Sequence, residues 1–176
     1  MLHPSLRAGL QSGTIMTISD IVTQLWIEEK SWSEDYQWQR TLRWTTAGMV
    51  LHGPYFFAGF SMLDKYFGAA TSLPVVAKKT ITAQFLIFPP YLVALFGYMG
   101  ILEQHPRVLE KIQQRVPETF LTGCMFWPVA NVFNFTFVSP TMRVPYVAIS
   151  AGIWNSYLSW TNAKTSYEIL LTNQVS

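Results

Sequence analysis

The chain has 176 residues, of which 50% are hydrophobic and only 12% are charged. Soluble domains carry about 25% charged residues, so this composition argues against an ordinary soluble domain. The net charge of +2 gives no basic surface for nucleic acid, and the single cysteine, Cys124, excludes an internal disulfide. At this length we expect one domain over residues 1–176.

The charged residues are separated by long segments that contain almost no charge. The first, Ala8–Ile27, has 20 residues and one charged side chain, Asp20. Four more have no charge: Trp44–Leu63 with 20 residues, Thr80–Leu102 with 23, Thr119–Met142 with 24 and Val144–Ala163 with 20. A helix of about 20 residues crosses the hydrocarbon core of a bilayer. The sequence therefore predicts an all-α fold, a polytopic integral membrane bundle of four to five transmembrane helices.

The first helix is predicted from about Leu6 to Trp26 and includes Gly9-x-x-x-Gly13. Small residues at this spacing either let two helix backbones approach closely or occur by chance. The loop that follows, Glu28–Arg43, is the most polar part of the chain and is rich in tryptophan. Tryptophan favours the headgroup level of a membrane, so we expect this loop to lie on the membrane surface.

The second and third helices are predicted over about Thr41–Met62 and Lys79–Leu102, and both contain proline. Pro54 and the pair Pro89-Pro90 each remove a backbone hydrogen bond and should kink the helix. Because a freed carbonyl cannot face lipid, neighbouring helices or water must shield both breaks.

A short helix separate from the spans is predicted between Pro106 and Pro117. Its basic residues recur every four positions, at Arg107, Lys111 and Arg115. This pattern indicates either an interfacial helix whose basic face meets anionic lipid headgroups or a solvated connecting helix. The last two spans, Thr119–Val138 and Val144–Asn162, should form a tight antiparallel pair.

Polar residues inside the predicted spans are the candidate functional residues. Asp20 is the only acid among them, and Gln24 follows it one turn later on the same face. Possible partners for Asp20 are Arg143 and Lys79, near helix ends. The other polar candidates are His52, Gln84, Asn131, Asn134 and Asn155. Such residues either line a hydrophilic pore or form hydrogen bonds between helices, and the sequence leaves both open.

The sequence contains no motif of a known catalytic or cofactor site. The three histidines, His3, His52 and His105, are dispersed, and Asp20 has no second acid nearby in the sequence. Phosphate-binding glycine loops, zinc-protease motifs and nucleophile elbows are not found. We therefore expect a protein that is not an enzyme and has no catalytic residues, cofactor or metal.

Five short motifs in chain order resemble one family. They are Asp20-Ile21 with Gln24; Gly53-Pro54 with Leu63; Lys79 with Gln84 and Pro89; Trp127-Pro128 with Asn134-Phe135, Val138 and Arg143; and Ile153 to Trp160, which includes Trp154 and Asn155. Together they resemble the Mpv-seventeen and peroxisomal membrane protein PMP-twenty-two family of small integral membrane proteins. Departures from the family pattern are Ser19, Phe60, Ala83, Asn131 and Pro140.

The resemblance implies a small-solute pore or channel in an organelle membrane. The mitochondrial inner membrane is the expected location, with the peroxisomal membrane as the alternative. Ala83 and Phe60 replace polar residues of the family, which favours a second interpretation. In that interpretation the chain is a structural or accessory subunit of a larger inner-membrane complex. The expected partners are membrane lipids and either copies of the chain or other subunits, with no nucleic acid.

Overall fold

The computed structural model describes the backbone of residues 3–68, 72–137 and 143–175. It describes their side chains except at 73, 132, 134–136, 143–145, 148 and 167–175. The described residues form five helices, with no strand among them. This confirms the all-α fold predicted from the sequence.

Helix α1 runs over Pro4–Val22 and continues as a π-helical turn over Thr23–Ile27, and helix α2 has an α segment over Trp38–Thr46, a π turn over Ala47–His52 and a second α segment over Gly53–Phe67. Helix α3 has an α segment over Leu73–Thr82, a π turn over Ala83–Ile87 and a second α segment over Phe88–Leu102. Helices α4 and α5 run over Val108–Phe137 and Arg143–Val175.

The prolines of α2 and α3 each follow a π turn, and neither helix is broken. The turn Ala47–His52 ends before Gly53-Pro54, and Ala83–Ile87 ends before Pro89. A wider turn accommodates the ring and the missing N–H without ending the helix. The hydroxyl of Tyr55, on α2, donates to the carbonyl oxygen of Ile87, on α3, at 2.8 Å. A neighbouring helix therefore supplies a hydrogen-bond donor near the prolines, as expected from the sequence.

The short helix predicted between Pro106 and Pro117 is not a separate element. It forms the first turns of α4, which runs through Pro117 without a break. The side chain of Lys111 is 0% exposed and forms an ion pair with Glu103 at 2.5 Å. Lys111 is thus unavailable to lipid headgroups, because Glu103 holds its ammonium group inside the bundle. Lipid contact by Arg107 and Arg115 stays a prediction.

The last helix is also longer than predicted, since α5 extends to Val175 and not to Asn162. The additional turns include Thr165, which is buried, and Ser166, which is half-buried. Polar residues in these turns face the start of α4, where they find hydrogen-bond partners such as Lys111. The charge-free run therefore underestimates the helix, because its C-terminal part packs through polar contacts.

The glycines of α1 and α2 place these two helices in direct backbone contact. A Cβ at Gly48 would lie 2.6 Å from the Cα atom of Gly13, and one at Gly53 would lie 2.5 Å from Gly9. Only glycine permits this approach. The Gly9-x-x-x-Gly13 pattern therefore marks a packing face, and the contact fixes where α2 lies along α1.

The centre of the bundle is apolar and is built around α3. Tyr91, Leu92, Leu95, Phe96 and Met99 are completely buried there. Residues of the other helices complete this core: Met16, Trp44, Ala47, Trp154 and Leu158. By length and apolar character, the described residues contain one helical stretch suited to crossing a bilayer, Pro74–Leu102. One such stretch does not establish the four to five spans predicted from the sequence.

Candidate functional site

Asp20 lies at the centre of a buried polar network at one end of the bundle. Its side chain is completely buried. Its Oδ2 atom accepts hydrogen bonds from the Thr41 hydroxyl at 2.7 Å and from Gln24 Nε2 at 2.8 Å. Gln24 belongs to the π turn that ends α1, and its Oε1 accepts from the backbone N–H of Gln37 at 2.8 Å. The end of α1 is thereby joined to the start of α2.

The other carboxylate oxygen of Asp20 connects α1 to α2 and α5. Its Oδ1 accepts from the Ser159 hydroxyl at 2.5 Å and lies 2.9 Å from Arg40 Nε. Arg40 also donates from NH2 to Ser159 Oγ at 2.8 Å. Three helices therefore meet at one ion pair.

Glu28 adds a second acid on the outer side of Arg40. Its Oε2 lies 2.7 Å from Arg40 NH1 and 2.9 Å from Lys30 Nζ. Partial burial would raise the pKa of Glu28, but the hydrogen bonds and charges of Arg40 and Lys30 outweigh it and lower that pKa below its usual value. Asp20, Gln24, Glu28, Arg40, Thr41 and Ser159 are named the Asp20 network below.

Small hydroxyl residues continue the polar contacts from Asp20 along the seam between α1 and α5. Ser19 Oγ donates to the Gly152 carbonyl at 3.0 Å, and Thr23 Oγ1 donates to the Ser156 carbonyl at 3.2 Å. Ser156 Oγ donates back to the Ser19 carbonyl at 3.1 Å. These short reciprocal bonds hold the two helices together and close the seam.

A second polar network joins the start of α4 to the end of α5. Glu103 accepts from Lys111 Nζ at 2.5 Å, from Asn162 Nδ2 at 2.6 Å and from Ser166 Oγ at 2.9 Å. Burial lowers the pKa of Lys111 below its usual value, although the charge of Glu103 opposes this. Glu103, Lys111, Asn162 and Ser166 are named the Glu103 network.

An open cavity of about 550 Å³ lies between the two networks. Arg40 and Glu28 of the first network and Glu103, Asn162 and Ser166 of the second contribute to its lining. The remaining lining residues are Lys30, Gln37, Arg43, Gln104, His105, Pro106, Trp160, Ala163 and Lys164. The cavity therefore ends at the Arg40 side of the buried Asp20–Arg40 ion pair.

The other polar candidates do not join this site. His52 Nδ1 lies 2.7 Å from the Tyr91 hydroxyl, and Gln84 Nε2 donates to Cys124 Sγ at 3.3 Å. Asn131 is half-buried on α4 and Asn155 is buried on α5. The side chain of Asn134 lies outside the described residues. Among the predicted residues whose side chains the structure describes, only Asp20 and Gln24 are brought together.

Three of the family-motif residues, Gly53, Trp127 and Trp154, have packing positions among the described residues. Trp154 is buried against Phe88 and Trp127, with ring centroids 5.8 and 6.1 Å away. Gly53 packs on α1, Pro54 and Pro89 follow π turns, and Pro128 is exposed within α4. Trp160 lines the open cavity, and the side chains of Phe135 and Arg143 lie outside the described residues.

The sequence prediction missed the partner of Asp20. Lys79, one suggested partner, instead forms an ion pair with Asp64 at 2.6 Å. Arg40 was placed in the polar loop, but α2 begins at Trp38 and buries it. An available signal was the spacing of Arg40, Thr41 and Trp44, which puts all three on one side of a helix that starts earlier.

This chain is similar to known proteins whose names place them in organelle membranes. The model of the Mpv17 / PMP22 family matches residues 100–159. PXMP2/4 family protein 4 of Dictyostelium discoideum is 28% identical, over 92% of this chain and 88% of its own. The mitochondrial inner membrane protein Mpv17 of Drosophila melanogaster is 28% identical, over 90% of this chain and 95% of its own length. That of Homo sapiens is 29% identical, over 90% of this chain and 90% of its own length.

The search of solved structures gave no significant match. The names of the fly and human relatives agree with the mitochondrial inner membrane location that the family resemblance implies. The matches extend over nearly the whole chain, and the family model includes Trp127-Pro128 and Trp154, which are part of the resembling motifs. The chain is therefore similar to the Mpv17 / PMP22 family of membrane proteins.

Proposed function

We propose that the protein is a non-catalytic membrane protein of the mitochondrial inner membrane that forms a gated path for small solutes. The observation that supports this most is the open cavity of about 550 Å³ that ends at the ion pair of Asp20 and Arg40. In this proposal the cavity is the mouth of the path, and the Asp20 network is its closed gate.

The proposal requires that four to five helices cross the bilayer. Pro74–Leu102 has the length and apolar character of a span. The other helices are interrupted by polar residues, and several of these lie inside the bundle, as Asp20, Thr23 and Ser159 do. Large apolar side chains such as Met125 and Val129 on α4 are exposed, as a surface in contact with lipid requires.

Opening the gate would separate α1 from α5. The seam between these helices, next to Asp20, contains Ser19, Thr23 and Ser156. Their hydroxyl groups could contact water and solute if the helices moved apart. Because Asp20 and Arg40 neutralise each other only when paired, breaking the pair leaves one charge of each sign at the proposed gate. Such a gate passes small polar solutes with little preference for the sign of their charge.

The test is solute flux through purified protein in liposomes. Arg40→Gln removes the pair and should raise the flux of small solutes above that of the wild type, and Asp20→Asn should change it in the same direction. Lys79→Gln is the matched control, because it removes the exposed ion pair of Lys79 and Asp64. Equal flux in the wild type and both network variants would remove the Asp20 network from the gate.

A second candidate function is that of an accessory subunit in a larger inner-membrane complex. The observation that favours it is an aromatic cluster before α2, where the Trp32 ring lies 4.6 Å from that of Tyr36 and 4.9 Å from that of Trp38. Trp32 and Trp38 are 50% and 57% exposed, so the cluster has free apolar surface. Another subunit could bind there.

The mass of the native particle in mild detergent separates the two functions. A particle of one chain or several copies of it supports the path. A particle with fixed amounts of other subunits that dissociates when Trp32 and Trp38 are both changed to Ala supports the accessory subunit. In that case the two polar networks serve to pack helices.

A further inference from the structure

We propose that the open cavity is a binding site for an anion with a phosphate or carboxylate group. The site would select what reaches the gate, and in that role it rests on the proposed function. Binding itself does not depend on conduction and is measured without it. The inference stands on the charge of the cavity lining, on one unpaired guanidinium and on two buried polar atoms that lack partners.

The lining of the cavity has an excess of positive charge. Its basic residues are Lys30, Arg40, Arg43 and Lys164, and its acids are Glu28 and Glu103. Asp20 and Lys111, which lie behind the lining, add one charge of each sign. Counted by formal charge, the lining therefore has two more basic than acidic residues, in a concave site that focuses their field.

Arg43 contributes a positive charge that no acid neutralises. Arg40 is paired with Asp20 and Glu28, whereas the guanidinium of Arg43 has no hydrogen-bond or ion-pair partner within the part of the chain that the structure describes. Its charge acts on Lys111 and contributes to lowering the pKa of that ammonium group. A guanidinium presents paired N–H donors that match the two oxygens of a carboxylate or phosphate. An anion beside Arg43 would relieve its repulsion with Lys111.

His105 provides a second donor in the lining. Its Nδ1 atom accepts a hydrogen bond from the backbone N–H of Arg107 at 3.2 Å, so a neutral ring has its proton on Nε2. The residue is 8% exposed, and its Nε2 is buried without a partner among the described residues. Buried donors are nearly always hydrogen-bonded, so this N–H favours a ligand acceptor that the described residues do not provide.

Asn162 presents an acceptor in the same lining. Its Nδ2 donates to Glu103 at 2.6 Å, whereas its buried Oδ1 has no partner in the described structure. A hydroxyl group beside the anionic group of a ligand would satisfy this oxygen. The lining thus has cationic donors for one end of a ligand and a neutral acceptor for another part of it.

The size of the cavity indicates an organic ligand. About 550 Å³ is within the range of small-molecule sites and far more than one oxyanion fills. Trp160, Pro106 and Ala163 add apolar surface to the lining. Two sources have this chemistry, namely a dissolved organic anion and the headgroup of an anionic lipid, since the tryptophan-rich segment before α2 favours the headgroup level.

The experiment compares the wild type with Arg43→Gln in mild detergent, with inorganic phosphate as the probe. The midpoint of thermal unfolding is measured in phosphate and in chloride at equal ionic strength. We expect phosphate to raise the midpoint of the wild type and to have at least tenfold weaker affinity for Arg43→Gln. Because the Arg43 guanidinium has no partner among the described residues and repels Lys111, this variant should unfold in chloride at or slightly above the wild-type midpoint. Lys65→Gln, a change of an exposed lysine of α2 away from the cavity, is the control and should respond as the wild type does.

A second arm identifies the source of the anion. The protein is placed in nanodiscs of phosphatidylcholine alone or with phosphatidylglycerol and is then extracted. Native mass spectrometry measures the lipid that stays bound. Phosphatidylglycerol retained by the wild type and lost from Arg43→Gln assigns the site to a lipid headgroup, and phosphate stabilisation without retained lipid assigns it to a dissolved anion. Phosphate and lipid responses equal in wild type and Arg43→Gln overturn the proposal. Binding that persists in a protein without solute flux contradicts only the proposed function.

Discussion

Asp20 and Arg40 form an ion pair inside the bundle, with Asp20 Oδ1 and Arg40 Nε 2.9 Å apart and side chains that are 0% and 6% exposed. Removing a charge of this kind from water costs several kcal/mol, which only close partners can offset. Here Gln24, Thr41 and Ser159 complete the shell around the carboxylate. The pair therefore depends on α1, α2 and α5 being held together.

Arg40→Gln should lower the free energy of unfolding by about 3–5 kcal/mol, because it leaves Asp20 buried without its countercharge. The double variant Asp20→Asn with Arg40→Gln should recover much of this loss, since no buried charge remains. Unfolding in mild detergent micelles measures both. Lys79→Gln should change the value by about 1 kcal/mol or less, because Asp64 in that pair is 60% exposed. A double variant no more stable than Arg40→Gln would contradict this account of the pair.

Acid should weaken the protein through Glu28. Its pKa in the folded protein lies below the usual value of 4.5, so its contribution to stability is complete above that value. The contribution is lost as the pH falls through the lowered pKa of the folded state. We expect Glu28→Gln to be less stable than the wild type at neutral pH and to lose less stability on acidification below pH 4.5. Glu29→Gln, which removes the adjacent exposed carboxyl group, is the control. Parallel pH profiles for wild type and Glu28→Gln would refute the prediction.

Gly48→Ala should disrupt the contact between α1 and α2. The added Cβ would lie 2.6 Å from Gly13 Cα and 2.7 Å from Ser12 O, and these backbone atoms cannot move without shifting a helix. Overpacking of this kind costs about 1–3 kcal/mol or more. Gly97→Ala is the matched control, because its Cβ would meet only Ile112 Cδ1 at 3.6 Å, and its higher helix propensity should make it neutral or stabilising. Equal thermal midpoints for the two variants would show that α1 and α2 pack less closely.

Lys111→Met should lower the free energy of unfolding by about 3 kcal/mol, because Glu103 loses its countercharge in a largely buried site. Changing Glu103 to Leu as well should restore stability, since apolar residues often replace a buried pair without cost. The same unfolding measurement applies. If Lys111→Met alone matches the wild type, Lys111 does not stabilise the described contact between α4 and α5.

The apolar segments predicted the order of the five long helices well, because each helix contains one long run with at most one charged residue. Their ends were less predictable. Lys111 and Arg40 are charged, so the sequence placed them outside the spans, whereas each is buried beside an acid that lies elsewhere in the chain. A pattern of hydropathy cannot show such pairing, which depends on tertiary contacts.

The candidate site was predicted in part. Asp20 and Gln24 were identified because an acid and an amide on one helix face are unusual inside an apolar segment. His52 and Gln84 were grouped with them by the same criterion, but they form separate contacts with Tyr91 and Cys124. Arg43, Glu103 and His105 were missed because they belong to polar segments, where charged residues are expected and give no signal.

Solute flux through the purified protein in liposomes tests the central claim most directly. The account predicts low flux for the wild type, higher flux for Arg40→Gln, and no change for Lys79→Gln. Higher flux in the first variant alone would establish the Asp20–Arg40 pair as the gate. Absence of flux in all three proteins, with each shown to be folded, would contradict the gated path and favour the accessory subunit.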